Sequence, residues 1–412
     1  MYDVVISGSG PAGAMAGKVM AKAGYNVIIF DKAKLPWRKP CGGGVPEHIF
    51  TAGLLDYNEL KKKGIIDTVT KDLYLRAPND KELLLETPGE TVVDRKIFDQ
   101  FLRDKATEAG AEIREQTSVR DLLRDTKGCI NGVKIQSAAG SEDIPSKMVI
   151  IADGVGSKLV VTAGLRREWE PDDIAICAVA IIEGYIEPEP LSKSMQIYID
   201  DHIAPNSYAW LFPMQHSRAN IGIGIWKKSE KKPMEYLMRL VEQPFFKAKV
   251  DAAKFKIIWK SSYPIPMQGV KGRTYDDAVM GIGDSMGFVA PIIGEGIFSA
   301  LLTGKLAAET AIKALELGDY SKNVLKDFQR KWAKYGLKEG YNFQRTMRDA
   351  IVDNVDENFI RLMDWALEGD VNKKLLADLF SKGTSLVGDI NPELMTKLTT
   401  ELLPKLKLSK KT

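Results

Sequence analysis

The chain reads as an α/β protein with a β-rich second domain and a helical C-terminal region. Three observations predict this. The first thirty residues follow the order strand, glycine turn, helix, strand; the stretch from about Arg166 to Gln268 changes to short alternating segments; and beyond about Asp319 apolar residues recur every three to four positions. At 412 residues, 44% hydrophobic and 27% charged, the chain can bury two or three real cores.

Charge and cysteine content exclude several classes. Lys+Arg 58 against Asp+Glu 55 leaves a net charge of +3, too balanced for a nucleic-acid binder that relies on phosphate neutralisation. Cys41, Cys129 and Cys177 are odd in number and widely spaced, so neither a disulfide framework nor a metal site is expected, and the compartment is read as reducing. No apolar run approaches the roughly 18 residues of a membrane-spanning helix. The N-terminus enters a strand directly, without the pattern of a signal peptide, so the expectation is a cytoplasmic protein, able at most to lie peripherally on a membrane surface.

In "YDVVISGSGPAGAMAGKVMAKAGYNVIIFDK", Val4, Val5 and Ile6 form a buried β-branched run, Ala12 to Ala23 a helix rich in small residues, and "YNVIIF" a returning parallel strand. Gly8, Gly10 and Gly13 make GxGxxG. The first allows the tight turn, the second lets backbone approach a pyrophosphate, and the third permits close helix–strand contact, with the helix N-terminus and Ala12 facing the phosphates. Asp31, with Lys32 beside it, ends the second strand 18 residues after Gly13, where an acid can bind the adenosine ribose hydroxyls. Together these make a Rossmann-like dinucleotide site.

Distant segments bear on which dinucleotide is held. "KMVIIADGVGS" is a buried strand ending in Asp153-Gly154, and "DDAVMGIGDSMGFVAPIIGEGIFSAL" starts with another ending in Gly283-Asp284. A loop then reaches Gly294-Glu295-Gly296 and Ile297, which open an apolar helix. "VVDRKIFDQFLRDKATEAG" adds a helix with Asp94 as N-cap, Arg95 in its first turn, and Phe98, Phe101, Leu102 and Ala106 on its buried face. The combination resembles the FAD flavoproteins of the para-hydroxybenzoate hydroxylase type. That resemblance implies FAD, with Asp284 on the ribityl chain, Asp153-Gly154 near the pyrophosphate, Arg95 near the cofactor, and the last helix pointing its N-terminus at the flavin pyrimidine edge.

The middle of the chain, with "AICAVAIIEGYI", "SMQIYID", "SYAWLFP", "ANIGIGIW" and "FKIIWKSSYPIP", predicts a largely antiparallel sheet joined by a hairpin near Leu73 to Leu85. In "PNSYAWLFP", Tyr208, Trp210 and Phe212 sit at alternate positions, so three rings share one strand face, with prolines bracketing the strand. Spacing alone favours the commoner reading, an aromatic-filled core strand. The pattern YxWxFP, followed by Gly222-Ile223-Gly224 and preceded far upstream by Cys41-Gly42-Gly43-Gly44, resembles the signature of the geranylgeranyl reductase family. The resemblance covers Met1 to about Ala311 and implies FAD-dependent saturation of isoprenoid double bonds, in archaeal-type members those of ether (phospho)lipids.

By the same resemblance the substrate is a polyprenyl lipid contacted by Tyr208, Trp210, Phe212, Gly222 and Gly224. The three glycines after Cys41 would clear the flavin ring and substrate. Tyr208 and Trp210 are candidate catalytic residues, their ring faces able to stabilise developing positive charge. Cys41 is a candidate proton donor or positioning group. Electrons would come from an external donor, NAD(P)H, a deazaflavin or ferredoxin. A flavin monooxygenase and a prenyl-binding protein without catalysis are the competing readings.

The expected division is a discontinuous FAD-binding domain (1–70, 94–165 and 270–318), a sheet domain (71–93 and 166–269) and a helical region (319–412). In the last, "KDFQRKWAKYGLKEGYNFQRTMRDAIV" reads as one helix, Phe359, Leu362, Met363 and Leu367 as a buried stripe, and Asn391-Pro392 as a helix start. The closing "PKLKLSKK", alternating Lys and Leu, could touch an anionic membrane.

Overall fold

The computed structural model describes residues 1–226, 229, 231–352, 354–381 and 396–407. It opens with β1 (Tyr2–Ser7), α1 (Pro11–Lys22) and β2 (Val27–Phe30). β3 (Gly44–Pro46), α2 (His48–Thr51) and α3 (Tyr57–Lys62) lead to the hairpin of β4 (Ile66–Arg76) and β5 (Glu82–Val93). Then come α4 (Arg95–Glu108), β6 (Glu112–Arg114), β7 (Ser118–Arg124), β8 (Ile130–Ser137), β9 (Gly140–Ile151) and α5 (Leu159–Thr162). The middle comprises β10 (Ile174–Glu183), β11 (Ser194–Tyr198), β12 (Ala209–Met214), β13 (Arg218–Trp226), α6 (Pro233–Glu242), α7 (Pro244–Lys247) and β14 (Lys256–Pro266). The chain continues through β15 (Tyr275–Asp276), β16 (Val279–Gly281) and α8 (Ile297–Leu317) to α9 (Lys322–Lys334), α10 (Leu337–Val352), α11 (Val355–Leu367) and α12 (Asp370–Ser381).

The first sheet runs β15-β16-β9-β1-β2-β6, with β1 parallel to both β2 and β9. A parallel strand covered on both faces must be apolar throughout, which is why Val4, Val5 and Ile6 form an unbroken run with no exposure. α1 and α8 cross through small residues; a Cβ on Gly304 would lie 2.3 Å from the Ala12 carbonyl oxygen. β7, β8 and the first part of β9 form an antiparallel excursion that the sequence reading did not place. Its only local signals are turn clusters such as "DTKG".

The second sheet runs β14-β10-β13-β12-β11-β4-β5-β3, antiparallel except where β11 meets β4. Its two faces build separate cores. In β10, Val179 and Ile181 join Phe359, Met363 and Trp365 on one side, whereas Ala178, Ala180 and Ile182 join Leu237, Leu240 and Phe246 on the other. Covering on both sides explains the continuous "AVAII".

Several expectations need correction. β3 and the start of β4 at Ile66 pair in the second sheet, so the crossover between sheets comes before residue 71. β12 runs through Pro213 to Met214 instead of stopping at the proline; its register with β11 ends at Leu211, leaving only β13 opposite Pro213. The single helix expected from Lys326 onward is broken by Gly336, which takes φ +74°, into α9 and α10. Leu367, last residue of α11, is 47% exposed while Phe359, Leu362 and Met363 are buried. Of the basic tail, Lys405 pairs with Glu368, Lys407 with Glu357, and Leu406 is buried, so this part docks on the helices and does not stand free. Asn391 and Pro392, and residues 408–412, lie outside the described residues. No helix among the described residues is long and apolar enough to cross a membrane.

Candidate active site

Between the two sheets lies a cavity of about 1450 Å³, its open mouth included. Cys41 to Gly44, the rings of Tyr208, Trp210 and Phe212, the segment Ile293 to Ile297, and Asp284 all line it. Phe380 of α12 reaches it from the C-terminal helices.

The start of α1 adjoins this cavity through Pro11, next to the glycine turn. Gly8 takes φ +100°, and a Cβ there would lie 2.4 Å from the Ala152 carbonyl oxygen. On Gly13 it would lie 1.9 Å from the Gly8 oxygen, so helix and strand touch. Over Gly10 there is nothing within 4 Å, and no side chain caps α1, so the first-turn N–H groups of Ala12 and Gly13 are open to an anion. Asp31 accepts from the Ser9 amide (2.9 Å) and hydroxyl (2.6 Å), which fixes its carboxylate at the end of β2. Lys32 is exposed.

Asp153 follows β9 beside the Gly8 turn, where its Oδ1 is buried without a partner among the described residues. Burial pushes this carboxyl up to about 6. Gly154 takes φ +83°. An open cradle over Gly10, bare helix N–H groups and an orphaned buried oxygen fit a pyrophosphate-linked dinucleotide.

Beside the start of α8, Asp284 forms a 2.6 Å ion pair with Lys39, which the sequence reading left unassigned. Burial works against the Lys39 charge, but Asp284 outweighs it and raises the ammonium above its ordinary range. Gly294 takes φ +67°; Gly296 precedes α8, where the Glu295 carboxylate accepts the Phe298 N–H at 2.8 Å.

Cys41 and Arg95 come together across 54 residues of sequence. Arg95 is buried and donates from Nε and Nη2 to Asp99 at 2.7 and 2.8 Å. Burial opposes its charge, but Asp99 and the Cys41 sulfur favour it, leaving the guanidinium above its usual range. Asp94 caps α4 by accepting the Lys96 N–H at 2.9 Å and pairs with Arg38 at 2.6 Å.

The glycines after Cys41 are demanded chiefly by the protein's own rings and backbone, not only by a ligand. A Cβ on Gly42 would lie 2.7 Å from the Phe212 ring, and one on Gly43, at φ +80°, 2.3 Å from the Val93 oxygen. The loop therefore lies directly on the aromatic wall. Neighbouring rings of that wall stand 6.1 and 6.3 Å apart. Tyr208 donates to the Ile293 carbonyl at 2.5 Å, and burial raises its hydroxyl above the ordinary phenol range.

Gly222 and Gly224, expected to touch substrate, do not line the cavity. A Cβ on Gly222 would lie 2.1 Å from the Trp210 ring, and on Gly224 2.8 Å from the Ser207 hydroxyl. They seat the wall from behind. Between them and the loop lies a residue missed by the sequence reading: buried Asn220 accepts from the Trp210 indole (3.0 Å) and donates to the Cys41 carbonyl (2.8 Å). Its only sequence signal is an amide inside an apolar strand.

Comparison with known proteins agrees with this geometry. Residues 1–308 match a family model described as an FAD binding domain. Digeranylgeranylglycerophospholipid reductase 2 of Methanopyrus kandleri is 32% identical over 395 residues, spanning 91% of this chain and 96% of that protein. The chain belongs to the digeranylgeranylglycerophospholipid reductase family. The Methanocaldococcus jannaschii member is 30% identical, covering 94% of this chain and 97% of its own. The family's fold is seen in a geranylgeranyl bacteriochlorophyll reductase-like protein from Thermoplasma acidophilum, with TM-score 0.79, 24% identity, and 98% and 96% of the two chains covered. The flavin-dependent brominase Bmp2 shares the architecture at TM-score 0.69 and 20% identity, over 96% of this chain and 99% of its own. The chain is an FAD-dependent oxidoreductase of this family, a class that reduces C=C bonds of geranylgeranyl lipids.

Proposed function

We propose that the chain saturates the isolated double bonds of geranylgeranyl chains on ether lipids, in the cavity between the Cys41 loop and the aromatic wall. The observation that carries this reading is the wall itself, Tyr208, Trp210 and Phe212 facing Cys41 in an apolar cavity that continues to Asp284 and the start of α8. FAD, when bound and reduced, supplies a hydride. An unactivated alkene accepts hydride only as positive charge develops on the more substituted carbon, so the protein must supply a proton, exclude water and stabilise that charge. The faces of Tyr208 and Trp210 suit the last task, worth about 2 kcal/mol each when desolvated. Both rings are held, one by Ile293 and the other by Asn220, so little reorganisation is needed.

Cys41 serves as a positioning group beside the reacting bond. Cys41→Ala should bind FAD normally and lose turnover; full turnover would remove that role. Arg95, Asp153, Gly154, Asp284 and the glycines would hold the cofactor. Electrons come from an external donor, a nicotinamide, a deazaflavin or ferredoxin, and loading so apolar a substrate involves transient contact with a membrane surface. Burial of even part of a twenty-carbon chain, at about 0.8 kcal/mol per CH₂, supplies ample affinity.

The test is anaerobic. Dithionite-reduced protein mixed with a geranylgeranyl ether lipid should return to the oxidised spectrum while product mass rises by two hydrogens per double bond. Reoxidation by oxygen alone, with an oxygenated product, would replace this reading with a monooxygenase, and a purified protein without flavin would favour a binding protein.

A further inference from the structure

The reaction needs an acid inside a dry cavity, and the groups lining it differ sharply in fitness for that task. The Tyr208 proton is engaged by the Ile293 carbonyl. Lys39 and Arg95 are cations locked to Asp284 and Asp99. His48 is pushed down to about 4 by burial, so its imidazole is neutral, with Nε2 unpartnered among the described residues and the ring edge-on to Phe298. The Cys41 sulfur is taken up by the Gly43 N–H and Arg95. Cys177 is pushed up to about 12, chiefly by burial.

One acid is placed differently. Glu90, which the sequence reading did not single out, lines the cavity, and its Oε2 lies 3.8 Å from where a Cβ on Gly44 would stand. A backbone irregularity puts it there. The register of β4 and β5 jumps from Thr70–Glu90 to Asp72–Glu86, so Thr87, Pro88 and Gly89 bulge opposite Lys71, with Gly89 at φ +91°. Such bulges re-aim the side chain that follows. The Thr70 hydroxyl pins the turn by donating to the Glu90 carbonyl at 3.0 Å.

We propose that Glu90 is the catalytic acid that protonates the substrate double bond, with Glu295 as its electrostatic partner. The step rests on the reductase reading above. The O–H bond of Glu90 breaks, the π electrons form the new C–H bond at the less substituted carbon, and hydride drawn from the reduced cofactor completes the other carbon. Glu90 is left as carboxylate and regains a proton from solvent between turnovers.

The surroundings suit the role. Burial first, and then the charge of Glu295, push the Glu90 carboxyl up to about 8, so it carries its proton at neutral pH yet releases it readily. Other titratable groups share the cavity: Asp72 from β4, His48 from α2, and Cys41 and Arg95 on the loop and α4, besides the paired Lys39 and Asp284. Among the charged groups, Glu295 raises Glu90 further by like-charge repulsion.

The test uses infrared difference spectra of the FAD-loaded protein across a pH titration, with single-turnover reoxidation by geranylgeranyl lipid measured alongside. A protonated-carboxyl carbonyl band titrating near pH 8 should be present in the wild type and missing in Glu90→Gln. Glu295→Gln should move its midpoint down. Glu90→Gln should slow reoxidation by about a hundredfold or more while its flavin spectrum and dithionite reduction stay normal. The alkaline limb of the rate should shift down in Glu295→Gln, which tests the assignment even if Glu90→Gln folds poorly. An unchanged band, or a Glu90→Gln rate equal to wild type, overturns the proposal. A wild type that the lipid does not reoxidise would instead overturn the reductase reading.

Discussion

At the scale of single residues, glycine positions separate ligand contacts from packing contacts. Gly10 has extended backbone at φ −65° and open space where a Cβ would go. Gly10→Ala should therefore leave the melting temperature of the flavin-free protein unchanged and weaken FAD by roughly tenfold, measured by fluorescence titration. Gly222 is the opposite case. Its Cβ would meet the Trp210 ring, so Gly222→Ala should cost about 1–3 kcal/mol of stability in denaturant unfolding and disturb turnover through a displaced indole, with FAD affinity kept. His48 adds a pH dependence. Its folded value near 4 lies below the ordinary 6.5, so the unfolded chain takes up a proton first as pH falls. The His48 contribution is complete above about pH 6.5 and is lost toward pH 4, up to roughly 3 kcal/mol. The melting temperature of His48→Phe should drop less over that window than that of the wild type.

At the scale of elements, the site depends on how loops are tied to strands. Asn220 on β13 joins the Trp210 indole of β12 to the Cys41 carbonyl, so Asn220→Leu leaves the buried indole N–H unpaired, at about 1–3 kcal/mol, and the half-buried carbonyl without its partner. The expected result is a flavin-loaded protein with normal absorbance and strongly reduced lipid turnover; wild-type turnover would show that the tie is dispensable. Local chemistry made much of this legible. The glycine turn, the Asp94 cap and the alternate rings each depend on residues within a few positions of one another. What stayed hidden was tertiary: Lys39 meeting Asp284 from 245 residues away, the Asn220 bridge, and a bulge that turns Glu90 inward, none of which leaves a periodic trace. The role of Gly222 was misread for the same reason, because its decisive neighbour lies on the adjacent strand.

At the scale of the molecule, two sheets divide the labour. The first sheet gathers the start of α1 and the ends of β1, β2 and β9, the proposed seat of the dinucleotide, while the second sheet turns one face to the cavity and to α10–α12 and buries the other against α6 and α7. The cavity lies where β12, the Cys41 loop and the start of α8 converge, with Cys177 of β10 and Phe380 of α12 also lining it. A crystal structure of the FAD-loaded protein with a geranylgeranyl lipid bound tests that convergence. An isoprenoid double bond should lie between Cys41 and the rings of Tyr208 and Trp210, within reach of Glu90. A chain bound elsewhere, such as the groove of Met15, Phe50 and Phe101 beside α1, with the aromatic cavity empty of lipid, would contradict it.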